Sequence, residues 1–127
     1  MSAILKKYKI NFYKKSFKNP VSGVNTITPI LNTTNDENYI LVMFLNDYVN
    51  VQDIDTYILN MVEAVLNGSI LEEETGSQSG IAVYIQLDKT RLVDFNGVGT
   101  YLQPDLIIPT QDFSQISFEW RQFIENV

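Results

Sequence analysis

The sequence predicts a single α+β domain, in which an antiparallel sheet packs against two or three helices. Three patterns indicate this class: an apolar stripe at helical spacing within residues 51–67, short strand-like runs separated by turn residues within 81–95, and a second helical stripe at the end of the chain. A chain of 127 residues with 45% hydrophobic content is typical of one domain with its own core. We therefore expect one domain over residues 1–127.

The N-terminal segment, residues 7–14, predicts an amphipathic strand. Tyr8, Ile10 and Phe12 alternate there with polar residues, which is the period of a half-buried strand. Residues 19–35 then contain two prolines, a glycine and many Ser, Thr and Asn side chains that hydrogen-bond locally. We expect mostly loop in this second segment, with a short extended piece at 26–31.

Residues 38–46 form a continuous apolar run. The run is apolar on both alternating faces, which fits a strand buried from both sides, but a helix buried on all sides has the same composition. The pattern predicts a buried element and leaves strand and helix equally open.

Residues 51–67 predict a helix with one continuous apolar stripe. Asn50 is placed to cap its start, and Gly68 is placed to end it. The helical spacing of the stripe places all its members on the face that packs against the core. The members are Ile54, Tyr57, Ile58, Met61, Val62, Val65 and Leu66.

The second half of the chain predicts an antiparallel meander followed by a helix. Residues 69–74 and a strand over 81–87 predict a hairpin across the flexible turn 75–80. The chain then turns at Asp88 and Lys89 and returns as a third strand that ends near residue 95. In the closing segment, either Asp112 or Ser117 caps a helix. The apolar face of that helix contains Ile116, Trp120, Phe123, Ile124 and Val127.

Charge divides the chain into a basic start and an acidic remainder. Residues 1–18 hold six lysines and no acid, so the rest of the chain carries 3 basic against 15 acidic side chains, a net charge of −12. Such a field repels nucleic acid, because binding to phosphates requires Lys and Arg, and it attracts basic surfaces. We expect a basic protein partner and no direct contact with nucleic acid.

The composition excludes most catalytic machinery. The chain has no histidine and no cysteine, so it lacks the usual triads, thiol nucleophiles and histidine or thiolate metal sites. Carboxylate chemistry, lysine chemistry or a metal held by oxygen ligands remain. The run Glu72-Glu73-Glu74 lacks the spacing of a calcium loop and favours a solvated acidic patch. We expect no enzyme activity, no cofactor and no metal site.

The same composition bears on location. The absence of cysteine is typical of a reducing compartment, and the N-terminus lacks the apolar core of a signal peptide. The longest apolar run, residues 39–45, is far shorter than a membrane span requires. We expect a cytoplasmic protein that does not span a membrane.

Exposed acids are the candidate partner-binding residues. Those expected on loops or exposed strand faces are Asp36, Glu37, Asp47, Glu72, Glu73, Glu74 and Asp88. Two acidic groups, one around residues 36–55 and one at 72–74, would form a docking surface if the fold brought them together.

Two segments of this small acidic chain resemble a known class of proteins. These are Ile81-Ala82-Val83-Tyr84-Ile85, which leads into a short hairpin, and the closing helix over 116–124. In its small size, acidic charge and arrangement of these segments, the chain resembles bacterial immunity proteins of contact-dependent growth inhibition and related polymorphic toxin systems. The resemblance implies a cytoplasmic protein that binds a cognate toxin domain, often a basic nuclease, and blocks its active site. The resemblance does not identify which residues of this chain contact the partner.

Two other classes of function are compatible with the sequence. A non-catalytic structural or adaptor protein that forms a homo-oligomer would need an apolar, self-complementary face. A carboxylate-based enzyme would need a deep pocket with two carboxyl groups at about 5 to 9.5 Å from each other. The inhibitor hypothesis ranks first, the adaptor second and the enzyme third.

Overall fold

The computed structural model describes residues 2–127 and confirms an α+β fold. Within this range the chain forms four helices, with a 3₁₀ turn at Asp36–Asn38, and two separate antiparallel sheets. The helices are α1 (Ala3–Lys7), α2 (Tyr39–Asn46), α3 (residues 51–66) and α4 (Thr110–Glu125). Helix α3 consists of an α-helical stretch Val51–Ile54, a π-helical turn Asp55–Leu59 and a second α-helical stretch Asn60–Leu66. The strands are β1 (Ile10–Lys18), β2 (Asn25–Thr33), β3 (Glu72–Gly76), β4 (Ile81–Gln86), β5 (Lys89–Asp94) and β6 (Leu106–Pro109).

Strands β1 and β2 form a hairpin that the sequence predicted only in part. A strand was predicted from residue 7, but α1 occupies the chain to Lys7 and the strand begins at Ile10. The prediction of mostly loop over 19–35 was wrong, because β2 pairs with the whole length of β1. Pro29 had favoured a loop, yet a two-stranded sheet leaves each strand one unpaired edge, where proline is tolerated.

Helix α2 resolves the ambiguity of residues 38–46 in favour of a helix. It lies between β2 and the four-stranded sheet, which explains why its sequence shows no period. Leu41, Phe44 and Leu45 are completely buried. At its end, the Asn46 side chain accepts a hydrogen bond from the Leu31 amide at 3.1 Å and donates one to the Leu31 carbonyl at 2.9 Å, so α2 holds β2 in place.

Helix α3 begins and ends where the sequence predicted. The Asn50 side chain accepts hydrogen bonds from the amides of Gln52 and Asp53, as an N-cap does. Gly68 follows the helix with φ +82°, a conformation that favours glycine at a helix end. The π-helical turn, which periodicity did not predict, lies in the first half of the helix.

The four-stranded sheet has the order β3-β4-β5-β6, so β3 and β6 are its edges. The predicted meander of β3, β4 and β5 is confirmed, and β6 extends it beside β5. Gly80, with φ +84°, completes the tight turn between β3 and β4. Its amide donates to the Ser77 carbonyl, and the Ser77 amide donates to the Ile81 carbonyl.

Helix α4 is present, but neither predicted cap is used. The helix starts at Thr110 after Pro109, without a side-chain cap. Asp112 lies inside the first turn, where its carboxylate binds Tyr8 and Lys7, and Ser117 is completely buried further along. Asp112 therefore contacts Lys7 and Tyr8 at the end of α1 and does not cap α4. From Ser2 onward, no helix has the length and apolar character needed to cross a bilayer.

Candidate functional site

An open groove of about 620 Å³ runs between the edge strand β3 and helix α3. Its lining comes from the end of α2, from α3 up to Met61, and from β3 with its following turn. The lining residues are Asp47, Tyr48, Asp53, Tyr57, Met61, Glu74, Thr75, Gly76, Ser77 and Gln78. The groove thus combines acidic groups, an exposed aromatic ring and the edge of a sheet.

The groove joins the two acidic groups that the sequence separates by about 20 residues. Asp47 comes from the end of α2, Asp53 from the first turn of α3, and Glu74 from β3. The Asp47 carboxylate accepts hydrogen bonds from the amide and hydroxyl of Ser79, both at 3.0 Å. Asp47 therefore adds negative charge to the groove and also holds the β3–β4 turn beside it.

The π-helical turn presents Tyr57 to the groove. Tyr57 was predicted in the buried stripe, and this was wrong, because 48% of the residue is exposed. A π-helical turn holds one more residue than an α-helical turn, and Tyr57 is thereby rotated away from the core while Ile54 and Ile58 stay completely buried. Such turns are rare in helices and frequent at functional sites, which favours this side of α3 as a binding surface.

An ion pair fixes the π-helical turn to the body of the protein. The Arg121 guanidinium donates to both carboxylate oxygens of Asp55, at 2.6 and 3.1 Å. Such two-point pairs have defined geometry as well as charge. The turn that presents Tyr57 is therefore attached to α4.

A buried tyrosine connects the groove to the core. The Tyr48 hydroxyl donates a hydrogen bond to the Gly76 carbonyl of β3. Burial raises the pKa of Tyr48 and so favours the protonated hydroxyl that donates this hydrogen bond. The end of α2 and the end of β3 are thereby joined beneath the groove.

The other members of the acidic run have different surroundings. Glu72 accepts hydrogen bonds from the Tyr101 hydroxyl at 2.9 Å and from the Gln86 amide group at 3.3 Å, and the bond to Glu72 raises the pKa of Tyr101. Glu73 is half-buried opposite Ile85. Glu74 is therefore the one residue of the predicted run among those that line the groove.

The remaining predicted acids lie elsewhere. Asp36 and Glu37 are exposed on the 3₁₀ turn before α2. Asp88 is exposed in the turn between β4 and β5, at the far end of the sheet, roughly 20 Å from the β3–β4 turn at about 3.3 Å per residue. The structure thus brings together Asp47 and Glu74 of the predicted set and leaves Asp36, Glu37 and Asp88 outside the groove.

No family model, curated protein or solved structure matches this chain. The residues of the groove therefore carry the functional argument.

Sequence reasoning missed two features of the groove. Asp53 belongs to the acidic group around residues 36–55 but was not among the predicted partner-binding residues, and it is exposed at the groove. Tyr57 was assigned to the core, because a π-helical turn produces no periodic signal that separates it from an α-helix. Among the described residues, no three acidic side chains come close enough to hold a metal ion.

Proposed function

We propose that the protein is an immunity protein, which binds a cognate basic nuclease toxin domain in the cytoplasm and blocks its active site without chemistry of its own. The observation that carries the proposal is the groove, whose lining combines Asp47, Asp53 and Glu74 with the half-exposed Tyr57. Nuclease active sites bind phosphates with basic side chains, so a row of carboxylates is a chemically matched competitor. Tyrosine is among the residues that most often contribute strongly to protein interfaces.

The charge of the chain supports a role in rapid capture. Residues 19–127 carry the net charge of −12, and opposite charges accelerate association toward about 10⁸ M⁻¹s⁻¹. A standard interface takes about 800 Å² from each partner, which is roughly a tenth of the 7420 Å² exposed here.

The direct test uses the product of the gene immediately upstream, which the proposal predicts to contain the cognate toxin domain. Bacteria that produce this domain should die without the protein and grow with it. With purified components, a stoichiometric amount of the protein should stop the nuclease reaction, and calorimetry should show a one-to-one complex. Full nuclease activity in the presence of excess protein would reject the proposal.

A structural or adaptor role in a homo-oligomer is the second candidate, and one observation favours it. The outer part of the β1–β2 hairpin exposes Tyr13, Phe17 and Ile27 at 40%, 47% and 58% of their surface. Exposed apolar groups on a projecting hairpin are typical of contact surfaces. Light scattering distinguishes the two roles, since the adaptor predicts at least twice the mass of one chain and the inhibitor predicts a complex with toxin.

A further inference from the structure

Strand β3 leaves its outer backbone edge unpaired beside the groove. It pairs with β4 on one side, and the sheet order places no strand on the other. In an antiparallel ladder, residues alternate between those that hydrogen-bond to the neighbouring strand and those that face away. Because Ser77 bonds to Ile81, the residues that bond to β4 are Thr75 and Glu73. The amides and carbonyls of Glu72 and Glu74 therefore point outward.

One outward group shows that this edge accepts hydrogen bonds. The Gly76 carbonyl, next in the outward series, receives the Tyr48 hydroxyl. For Glu72 and Glu74, the described residues provide no such partner. The edge is thus closed at one end by Tyr48 and open along the rest of β3.

The side chains around this edge select the character of a pairing strand. Side chains of an added strand would alternate between the two faces of the sheet. On the outer face they would lie beside Glu72 and Glu74, where opposite charges opposite each other are favourable. On the α3 side they would meet Met61 and the exposed ring of Tyr57. The surroundings fit alternating basic and apolar residues.

We propose that the groove receives an extended basic segment of the partner protein, which adds to the sheet as a strand beside β3. The identification of that partner as a toxin domain rests on the proposed function. Main-chain hydrogen bonds to Glu72 and Glu74 supply affinity, and the alternating side chains supply specificity. The added strand lies along the outer edge of β3, with its apolar side chains toward Tyr57 and Met61.

The acidic edge also excludes a second copy of the same chain. Two β3 strands placed side by side would bring Glu72, Glu73 and Glu74 of each copy together, and like charges in direct opposition are unfavourable. Charged residues on edge strands prevent pairing between copies in this way. Charge repulsion therefore disfavours pairing of β3 with β3 of a second copy, whereas a basic strand can pair with it.

The test uses a defined probe, a blocked hexapeptide of alternating lysine and valine, and the isotope-labelled full chain. Nuclear magnetic resonance should show changes and slowed hydrogen exchange at the amides of Glu72, Glu74 and Gly76. A second peptide carries methyl groups on alternate backbone nitrogens, so it keeps the charge and side chains but loses the donors. Its affinity should be lower by at least about tenfold, the effect of losing one to two hydrogen bonds. Equal affinity of the two peptides would overturn strand addition.

A pair of variants at one position tests the same edge from the protein side. Glu74→Pro removes an outward amide hydrogen and leaves the ladder to β4 intact, while Glu74→Gln keeps that hydrogen and removes the charge. Peptide binding should fall at least about tenfold in the proline variant and only about twofold to threefold in the glutamine variant. Equal losses would show that the peptide binds by charge alone and would overturn the proposal. The methylated peptide needs no variant and decides the matter if Glu74→Pro fails to fold.

The two proposals fail in distinguishable ways. A toxin domain that binds the parent and Glu74→Pro proteins equally would support the immunity role and overturn strand addition. A peptide that protects the β3 edge, combined with a toxin domain that does not bind, would support strand addition and reject the immunity role.

Discussion

The indole nitrogen of Trp120 donates a hydrogen bond to the backbone carbonyl of Tyr48 at 2.8 Å. Trp120 is completely buried, and Tyr48 keeps 9% of its surface exposed. The hydroxyl of the same tyrosine reaches Gly76 in β3, so one line of contacts runs from α4 through the end of α2 to the groove. The position of the sheet edge therefore depends on the core.

Replacing Trp120 with phenylalanine should destabilise the fold. Trp120→Phe leaves the buried Tyr48 carbonyl unpaired, at a cost of about 1 to 3 kcal/mol in the free energy of unfolding, and the smaller ring adds a cavity. Urea denaturation measures the loss. Phe118→Leu is the control on the same helix, because Phe118 is 47% exposed and the change should stay within about 0.5 kcal/mol. Equal denaturation midpoints for the two variants would contradict the role of the hydrogen bond.

Two neighbours in the π-helical turn should behave in opposite ways. Ile58→Ala removes a completely buried side chain and should cost about 2 to 5 kcal/mol of stability. Tyr57→Ala removes a half-exposed ring at the groove and should change stability little, but it should weaken binding of the basic partner. Thermal denaturation and calorimetry check the two effects. A large loss of stability in Tyr57→Ala would return this tyrosine to the core.

Charge reversal should act on association according to position. Asp53→Lys at the groove and Asp88→Lys at the far end of the sheet change the net charge equally, and both sites are exposed. Asp88→Lys should keep the melting temperature of the parent, and Asp53→Lys should lower it only slightly, because an acid in the first turn of a helix contributes about 0.3 to 1 kcal/mol. Only Asp53→Lys should slow association and flatten its dependence on salt. Stopped-flow measurements at low and high salt decide, and equal rates for both variants would remove the groove as the docking site.

Acid should weaken the contact between α1 and α4. Burial alone would raise the pKa of Asp112. Its carboxylate, however, accepts hydrogen bonds from Tyr8 at 2.6 Å and from Lys7 at 2.9 Å, and Lys7 is positively charged. These interactions outweigh burial, so the pKa of Asp112 is lowered from its ordinary value of 3.8. A lowered pKa means that the ionised carboxylate stabilises the fold above about pH 4, and that this stability is lost as pH falls through the lower folded value.

Asp112→Asn is the variant that tests this contact. Its deficit relative to the parent should be largest near neutral pH and should shrink below about pH 4. Tyr8→Phe removes one of the two hydrogen bonds and should give an intermediate deficit. Denaturation at several pH values measures both, and a deficit that is independent of pH would show that ionisation of Asp112 is not the cause.

The predictable parts of the fold are those where local and long-range signals agree. Helix α3 was predicted with its cap at Asn50 and its end at Gly68, because stripe and terminators point to the same element. Only residues 26–31 of β2 were predicted to be extended, because its partner strand, and not its own composition, determines the length of β2. The cap of α4 was wrongly assigned because Asp112 is used in a contact with Tyr8, more than 100 residues away in the chain.

For the candidate site, the sequence predicted its chemistry better than its geometry. The sequence indicates acidic residues as docking groups, but their grouping depends on which helix and strand ends meet at the β3 edge. Asp47 and Glu74 meet there, whereas Asp88 does not, and no local pattern distinguishes these three. The exposure of Tyr57 depends on one additional residue in a helical turn, which periodicity does not detect.

The π-helical turn makes α3 unusually tolerant of a shortened chain. Since Asp55–Leu59 holds one residue more than a regular turn needs, deleting the exposed Thr56 would convert the turn to an ordinary α-helix. Ile54 before it and Val62 after it would still face the core. The same deletion elsewhere in α3 would rotate every later residue by about 100°. The parent chain and the chain shortened by Thr56 can therefore both form this helix, and only the parent has the π-helical turn that presents Tyr57 to the groove.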